Sequence, residues 1–394
     1  MTTHPIVIVG AGMAAYTVAR ELRKLDKTSA LIVISKDQAG FYSKPMLSNA
    51  FAQKKQAVQL ISQSAEQMAN QLQAQVLSNT QVTEIDCNKQ LLTLNQAGQI
   101  SQQAYSKLVL AVGAQAIRLR LSGDAAEQVM SVNHIDDYIA LRQKLEALPQ
   151  QAQITILGGG LIGCEFADDL AGAGYQVTVA DLNPLPMAML ASPALSQGLH
   201  TALQKRGVQF VLGTSAVAVE QDGARLQVKF ADQRSVPADL VLSAVGLRPD
   251  IALAQQAGLA TGRGIMVDAY GQTSDPHIFA LGDCAEYAVD GGHTILPYIA
   301  PIMAAGRAIA RSLSGESSAI EHKPVPVIVK TPSYPLALLP PASKQEGQWQ
   351  DECDGVRTVS RFVGPDQVLL GFGLAPQEAG LRQSLLAGLG KSID

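Results

Sequence analysis

Twice in this sequence a short β-branched run ends in a glycine-rich turn that opens a helical stretch, and few folds accommodate such a unit. The first copy reads Pro5-Ile-Val-Ile-Val-Gly10-Ala11-Gly12-Met13-Ala14-Ala15, continues as a helix to about Lys27, and returns as the apolar run 31–34. The second reads Ile154-Thr-Ile-Leu-Gly158-Gly-Gly160-Leu-Ile-Gly163, stops at Gly172-Ala-Gly174, and returns as 176–180. Each is a candidate β-α-β dinucleotide site. The first glycine permits the tight turn out of the strand, the second lets backbone approach a pyrophosphate, and the third lets helix pack on strand. The pyrophosphate then sits on the helix N-terminus, where free N–H groups and the dipole favour an anion. One motif alone is weak, but two in the same strand-turn-helix setting argue for two nucleotides.

The rest of the chain supports a duplicated design. Tyr105-Ser-Lys-Leu-Val-Leu-Ala-Val-Gly113 and Ala238-Asp-Leu-Val-Leu-Ser-Ala-Val-Gly246 are near copies, each downstream of one motif. Ile278-Phe-Ala-Leu-Gly282-Asp283 is another buried strand that stops abruptly, and past Glu321 the composition turns Pro-rich, which reads as edge strands of a further small domain. A length of 394 residues suits two or three domains. With 30 Lys and Arg against 34 Asp and Glu, the formal charge is -4, so no basic excess announces nucleic acid or an anionic membrane surface. The cysteines, Cys87, Cys164, Cys284 and Cys353, form no disulfide framework, no metal-ligand spacing and no C-x-x-C pair. The first ten residues lack a signal-peptide pattern, and no window is apolar enough to span a bilayer. A reduced, cytoplasmic α/β protein is expected.

The acid after the second strand of each unit discriminates between nucleotides, because a carboxylate there bonds ribose hydroxyls. In the second unit that residue is Asp181, which suits NADH and would repel the 2'-phosphate of NADPH. A solvated loop acid is the plainer account of it. In the first unit the strand ends in Ser35-Lys36-Asp37, so the usual acid is displaced; Ser35 retains a hydroxyl for a ribose and Lys36 a charge for phosphate. Asp283, leaving a buried strand beside a helix start, suits a ribityl hydroxyl of a flavin, which makes FAD the expected first cofactor.

Taken in order, Gly10-x-Gly12-x-x-Ala15, Ala111-Val-Gly113, Gly158-x-Gly160-x-x-Gly163, Ser243-Ala-Val-Gly246 and Gly282-Asp283 resemble the pyridine nucleotide-disulfide oxidoreductase superfamily. Phe41-Tyr-Ser-Lys44-Pro45, Leu161-Ile-Gly-Cys-Glu165, Leu296-Pro-Tyr298-Ile299 and Val329-Lys330-Thr-Pro resemble its bacterial rubredoxin-reducing members in alkane oxidation. That resemblance implies two Rossmann-like three-layer domains of the glutathione-reductase type and a small α+β C-terminal domain. FAD would be bound by 1–116 with 247–320, NADH by 117–246, and the last domain would be 321–394. Members that use a redox cysteine carry it where this chain has Lys44, so reduced flavin must deliver electrons directly to a protein.

The resemblance further implies that NADH gives a hydride to FAD, and that single electrons pass to rubredoxin and indirectly to a membrane alkane hydroxylase. Lys44 and Lys330 are expected beside the flavin. Glu165 is expected to pair with Lys44 near the nicotinamide, against the plainer reading of a helix-start acid. Tyr298 would open a helix aimed at the flavin, with contacts from the backbone at Ile299 and from Val82. A ferredoxin reductase serving an oxygenase is the nearest alternative, and a flavin-bearing NADH sensor a third. Cys164 and Cys284 are expected to be buried and inert.

Overall fold

The computed structural model describes residues 4–51, 53–289, 292–342 and 345–393, and the chain divides into two compact units. The first comprises Met1–Lys44, Gln59–Gln115 and Leu247–Lys323. Its sheet runs Ile278–Ala280, Lys107–Leu110, Ile6–Val9, Leu31–Ile34, Gln75–Leu77, with every pair parallel. Ile6–Val9 and Leu31–Ile34 are buried at every position, the mark of strands covered on both faces, where apolar runs replace alternation. Ile6–Val9 lies between Leu31–Ile34 on one side and Lys107–Leu110 on the other. The chain therefore leaves the sheet in opposite directions there, and the crevice at those carboxyl ends is where such sheets take ligands. Helix Met13–Leu25 follows the first strand and packs against helix Ile299–Leu313. Gly306 allows the close approach, since a Cβ there would meet Thr17 Cγ2 at 2.5 Å.

The second unit, Pro45–Val58, Ala116–Gly246 and Pro324–Asp394, repeats the plan. Its parallel sheet runs Met130–Ser131, Leu240–Ser243, Gln153–Leu157, Gln176–Asp181, Gln209–Leu212, again with the motif strand at the reversal. Helix Leu161–Gly172 takes the place of Met13–Leu25. The fold is thus α/β, with two Rossmann-like sheets and a smaller C-terminal layer.

That layer is an antiparallel sheet in the order Val327–Val329, Leu336–Leu339, Leu369–Ala375, Thr358–Val363, Gln348–Cys353, covered by helix Ala379–Gly388. Ala337, Val359, Phe372, Leu374 and Leu385 form one buried cluster in it, and the Pro-rich entry leads into the edge strand Val327–Val329, its prolines lying outside the ladder. Residues 324–394 cluster with 116–246. Ser192, which caps helix Pro193–Lys205 through the Leu195 N–H, also meets Ser360 Oγ at 2.7 Å. Residues 45–58 join the same unit through Phe51, whose ring meets Tyr138 and Tyr175 edge-on beneath the Arg142 guanidinium, 4.0 Å from its centroid. Among the described residues no helix is long and apolar enough to cross a membrane.

Candidate functional site

The two glycine turns are built alike, and each glycine has a different constraint. Gly10 and Gly158 have φ of +116° and +109°, and a Cβ on either would strike a carbonyl of the neighbouring strand, Ala111 O or Ala244 O. Both conditions demand glycine. At Gly12 and Gly160 an added Cβ would meet nothing within 4 Å. The fold therefore does not need glycine there; the bare backbone leaves space beside the first helical turn.

Both helices start without a side-chain cap and without an acid in the first turn. By contrast Ser64 and Ser192 cap other helices. Uncapped N–H groups beside an unfilled backbone suit a pyrophosphate, so the residues present fit a dinucleotide in each unit. Gly163 differs from its counterpart Ala15: a Cβ at Gly163 would collide with Gly158 O, whereas Ala15 is accommodated in the core. Gly113 and Gly246, at φ of +76° and +110°, turn the chain at matching places after the neighbouring strands.

In the first unit Ala11, Met13 and Ala14 lie on the motif turn and first helical turn. Ser35 ends the next strand, but its Oγ–H donates to Asp37 Oδ1 at 2.7 Å, and Lys36 beside it is exposed. Gly282, at φ +81°, approaches Ala14, where its Cβ would stand 3.0 Å away. The Gly282–Cys284 turn thus brings Asp283 to the motif helix. Asp283 Oδ2 lies 3.6 Å from Lys44 Nζ. Tyr298 and Ile299 open the helix packed on Met13–Leu25, and both are exposed at 36% and 47% despite their apolar bulk, which suits a face that a ring system covers. Val82 packs in the core of this unit, in an antiparallel strand. Tyr287, which sequence reasoning did not single out, accepts the Gly282 N–H on its fully buried Oη at 3.0 Å.

Glu165 belongs to the second unit and is fully buried. Its Oε2 accepts Lys330 Nζ and Ser48 Oγ–H, each at 2.5 Å, and its Oε1 accepts the Lys330 backbone N–H at 2.9 Å. Lys330 Nζ is also 3.4 Å from Ser48 Oγ. Glu165 thus pairs with Lys330, and Lys44 meets Asp283. The reason is burial. A carboxylate with no exposure needs a cation and donors at contact distance, and Lys330 supplies both from one residue. Ser48 was not foreseen, although it lies in the run that begins at Lys44.

Asp181 ends the strand Gln176–Asp181 and turns back on the motif. Oδ2 accepts the Gly159 N–H at 2.5 Å, and Oδ1 accepts the Asn183 backbone and side-chain N–H groups at 2.8 Å. Its carboxylate is thus fixed beside the turn rather than solvated at random. All four cysteines are free. Burial pushes the Cys284 thiol up to about 12, and burial, then the negative charges of Asp181, Glu165 and Asp168, raises Cys164 also. Neither provides a thiolate at neutral pH.

Glycine-turned Rossmann-like units in tandem define a nucleotide-dependent oxidoreductase, and the chain belongs to the pyridine nucleotide-disulphide oxidoreductase family, which it matches over residues 4–308. Residues 319–389 match the rubredoxin binding C-terminal domain. It is 42% identical to a rubredoxin-NAD(+) reductase of Acinetobacter baylyi, over 98% of each chain. Identity to a nitric oxide reductase FlRd-NAD(+) reductase of Vibrio vulnificus is 36%, over 94% of each. A solved ferredoxin reductase from Rhodopseudomonas palustris superposes with a TM-score of 0.87 at 25% identity, covering 99% of this chain and 96% of that one.

Proposed function

We propose that this protein is an FAD-dependent NADH:rubredoxin oxidoreductase. The observation that carries the reading is the joining, in one chain, of two uncapped glycine-motif helices to a C-terminal segment that matches a rubredoxin-binding domain. FAD, when bound, accepts a hydride and releases electrons one at a time. The chain's own residues do the rest. The Gly12 and Gly160 turns bind the pyrophosphates of FAD and NADH, assisted by Gly10, Ala11, Met13, Ala14 and Ala15 in one unit and by Gly158 and Gly163 in the other. Asp283, Ser35, Lys36, Gly113, Gly282, Val82, Tyr298 and Ile299 orient the flavin, while Asp181 and Gly246 orient NADH. Lys44 and Lys330 supply positive charge as the flavin is reduced, and Glu165 holds the Lys330 ammonium in place.

The sealed, protonated thiols of Cys164 and Cys284 support a direct exit of electrons to a protein. The finer reading adds that the acceptor serves a membrane alkane hydroxylase and that the protein works in the cytoplasm, where free cysteines persist. The likeness to a ferredoxin reductase favours a second acceptor class, the [2Fe-2S] ferredoxins. In steady state with NADH, rubredoxin is expected to saturate at low micromolar concentration and ferredoxin not to; the reverse order overturns the choice. Reconstitution with rubredoxin and the hydroxylase tests the finer claim, because alkane turnover should then require this protein.

A further inference from the structure

Helix Leu161–Gly172 carries three acids, Glu165, Asp168 and Asp169, all essentially buried in an otherwise apolar helix. Burying three carboxylates is costly unless each has defined partners. Asp169 Oδ2 accepts the Phe51 N–H at 3.0 Å and so anchors the segment that contains Ser48. The other two act on one short stretch. Glu165 takes the backbone N–H and the ammonium of Lys330. One helical turn on, Asp168 takes the backbone N–H of Ser333 at 2.9 Å and its Oγ–H at 2.5 Å, with Arg206 Nε 3.1 Å from the same carboxylate. The spacing of three on the helix matches the spacing of three in the gripped segment. Within that segment Thr331 Oγ1–H donates to Tyr334 O at 2.8 Å, and the Tyr334 N–H donates back to Thr331 O at 3.0 Å.

We propose that Asp168 and Ser333 are positioning residues for Lys330: they fix the far end of its turn to the nucleotide-motif helix, so that the ammonium is aimed by the same rigid element whose first turn receives NADH. A lysine side chain has many rotamers, and its charge is placed only when its backbone is fixed. Glu165 alone fixes one end. The Asp168 grip at the other end removes the hinge motion that a single attachment would leave. The proposal rests on the reading that Lys330 supports flavin reduction, and adds to it two residues that touch neither nucleotide.

The test is stopped-flow reduction of the bound flavin by saturating NADH in the purified holoenzyme. Ser333→Ala and Asp168→Asn should each slow it roughly three- to ten-fold, with FAD content and KM for NADH unchanged, while Ser333→Thr, which keeps both donors, stays near wild type. In a Lys330→Met background, Ser333→Ala should add less than about two-fold, since the residue acts through Lys330. If Lys330→Met slows reduction but Ser333→Ala and Asp168→Asn do not, the positioning role is overturned and the lysine's stands. An equal further loss in the Lys330→Met background also overturns it, because the grip would then serve the fold generally. An unchanged rate in Lys330→Met overturns both.

Discussion

A carboxylate that already accepts three N–H groups is a fixed charge, and Asp181 is held in that way beside the second glycine turn. A phosphate on the adenosine ribose would meet that charge, while two hydroxyls would find an acceptor. Asp181→Ala should therefore lower the preference in kcat/KM for NADH over NADPH by about ten-fold or more, mainly by weakening NADH. Equal loss with both nucleotides would assign the residue to the turn alone. The cysteines permit a second prediction. Cys353 is exposed and Cys87 half-buried, whereas Cys164 and Cys284 are sealed with raised pKa. Iodoacetamide at pH 8 should label Cys353 and spare Cys164 and Cys284 by peptide mass mapping, leaving NADH-driven flavin reduction intact. Loss of reduction in step with labelling would return a thiol to the electron path.

The elements explain why some glycines can be exchanged and others cannot. Gly12 has ordinary backbone angles, φ of -80° and ψ of -173°, and open space where a Cβ would go. Gly163 has a carbonyl in that place. Gly12→Ala should leave the protein folded but strip it of FAD, seen as a low ratio of 450 nm to 280 nm absorbance with an unchanged apo-protein melting point. Gly163→Ala should instead destabilise by roughly 2 kcal/mol or more, as overpacking against backbone does. If both variants behave alike, the distinction between a cradle glycine and a packing glycine fails.

These glycine turns were legible in the sequence because their requirements are local, a positive φ or a missing Cβ within a few residues of a strand end. The partner of Glu165 was not. Lys330 is 165 residues away, and Ser48 is 117 away in the other direction, and no local preference reports such a pairing. One signal was nevertheless present. Acids at 165, 168 and 169 share a helix face that its apolar neighbours mark as buried, and buried acids in a row imply gripped segments before their identity is known. Tyr287 gave less, since a tyrosine in an apolar strand reads as core until its hydroxyl is seen on the Gly282 N–H.

For the whole molecule, composition excluded more than it assigned. A net charge of -4 gives no sign of partners recruited by bulk charge, and the scattered cysteines form no C-x-x-C pair. Residues 319–389 match a rubredoxin binding domain, a likeness that neither hydropathy nor spacing would expose. The small sheet there has a buried apolar cluster that includes Phe372, and it clusters with the unit that carries the second glycine motif. The step on which the whole molecule's function turns is the passage of electrons from NADH to rubredoxin without a thiol between. It is tested most directly by anaerobic double-mixing stopped-flow, in which one equivalent of NADH bleaches the bound flavin and oxidised rubredoxin is added in the second push. The flavin absorbance should return at a rate that rises with rubredoxin concentration and saturates, with two rubredoxins reduced per NADH and no change after alkylation of the accessible cysteine. A bleached flavin that rubredoxin does not reoxidise would contradict it.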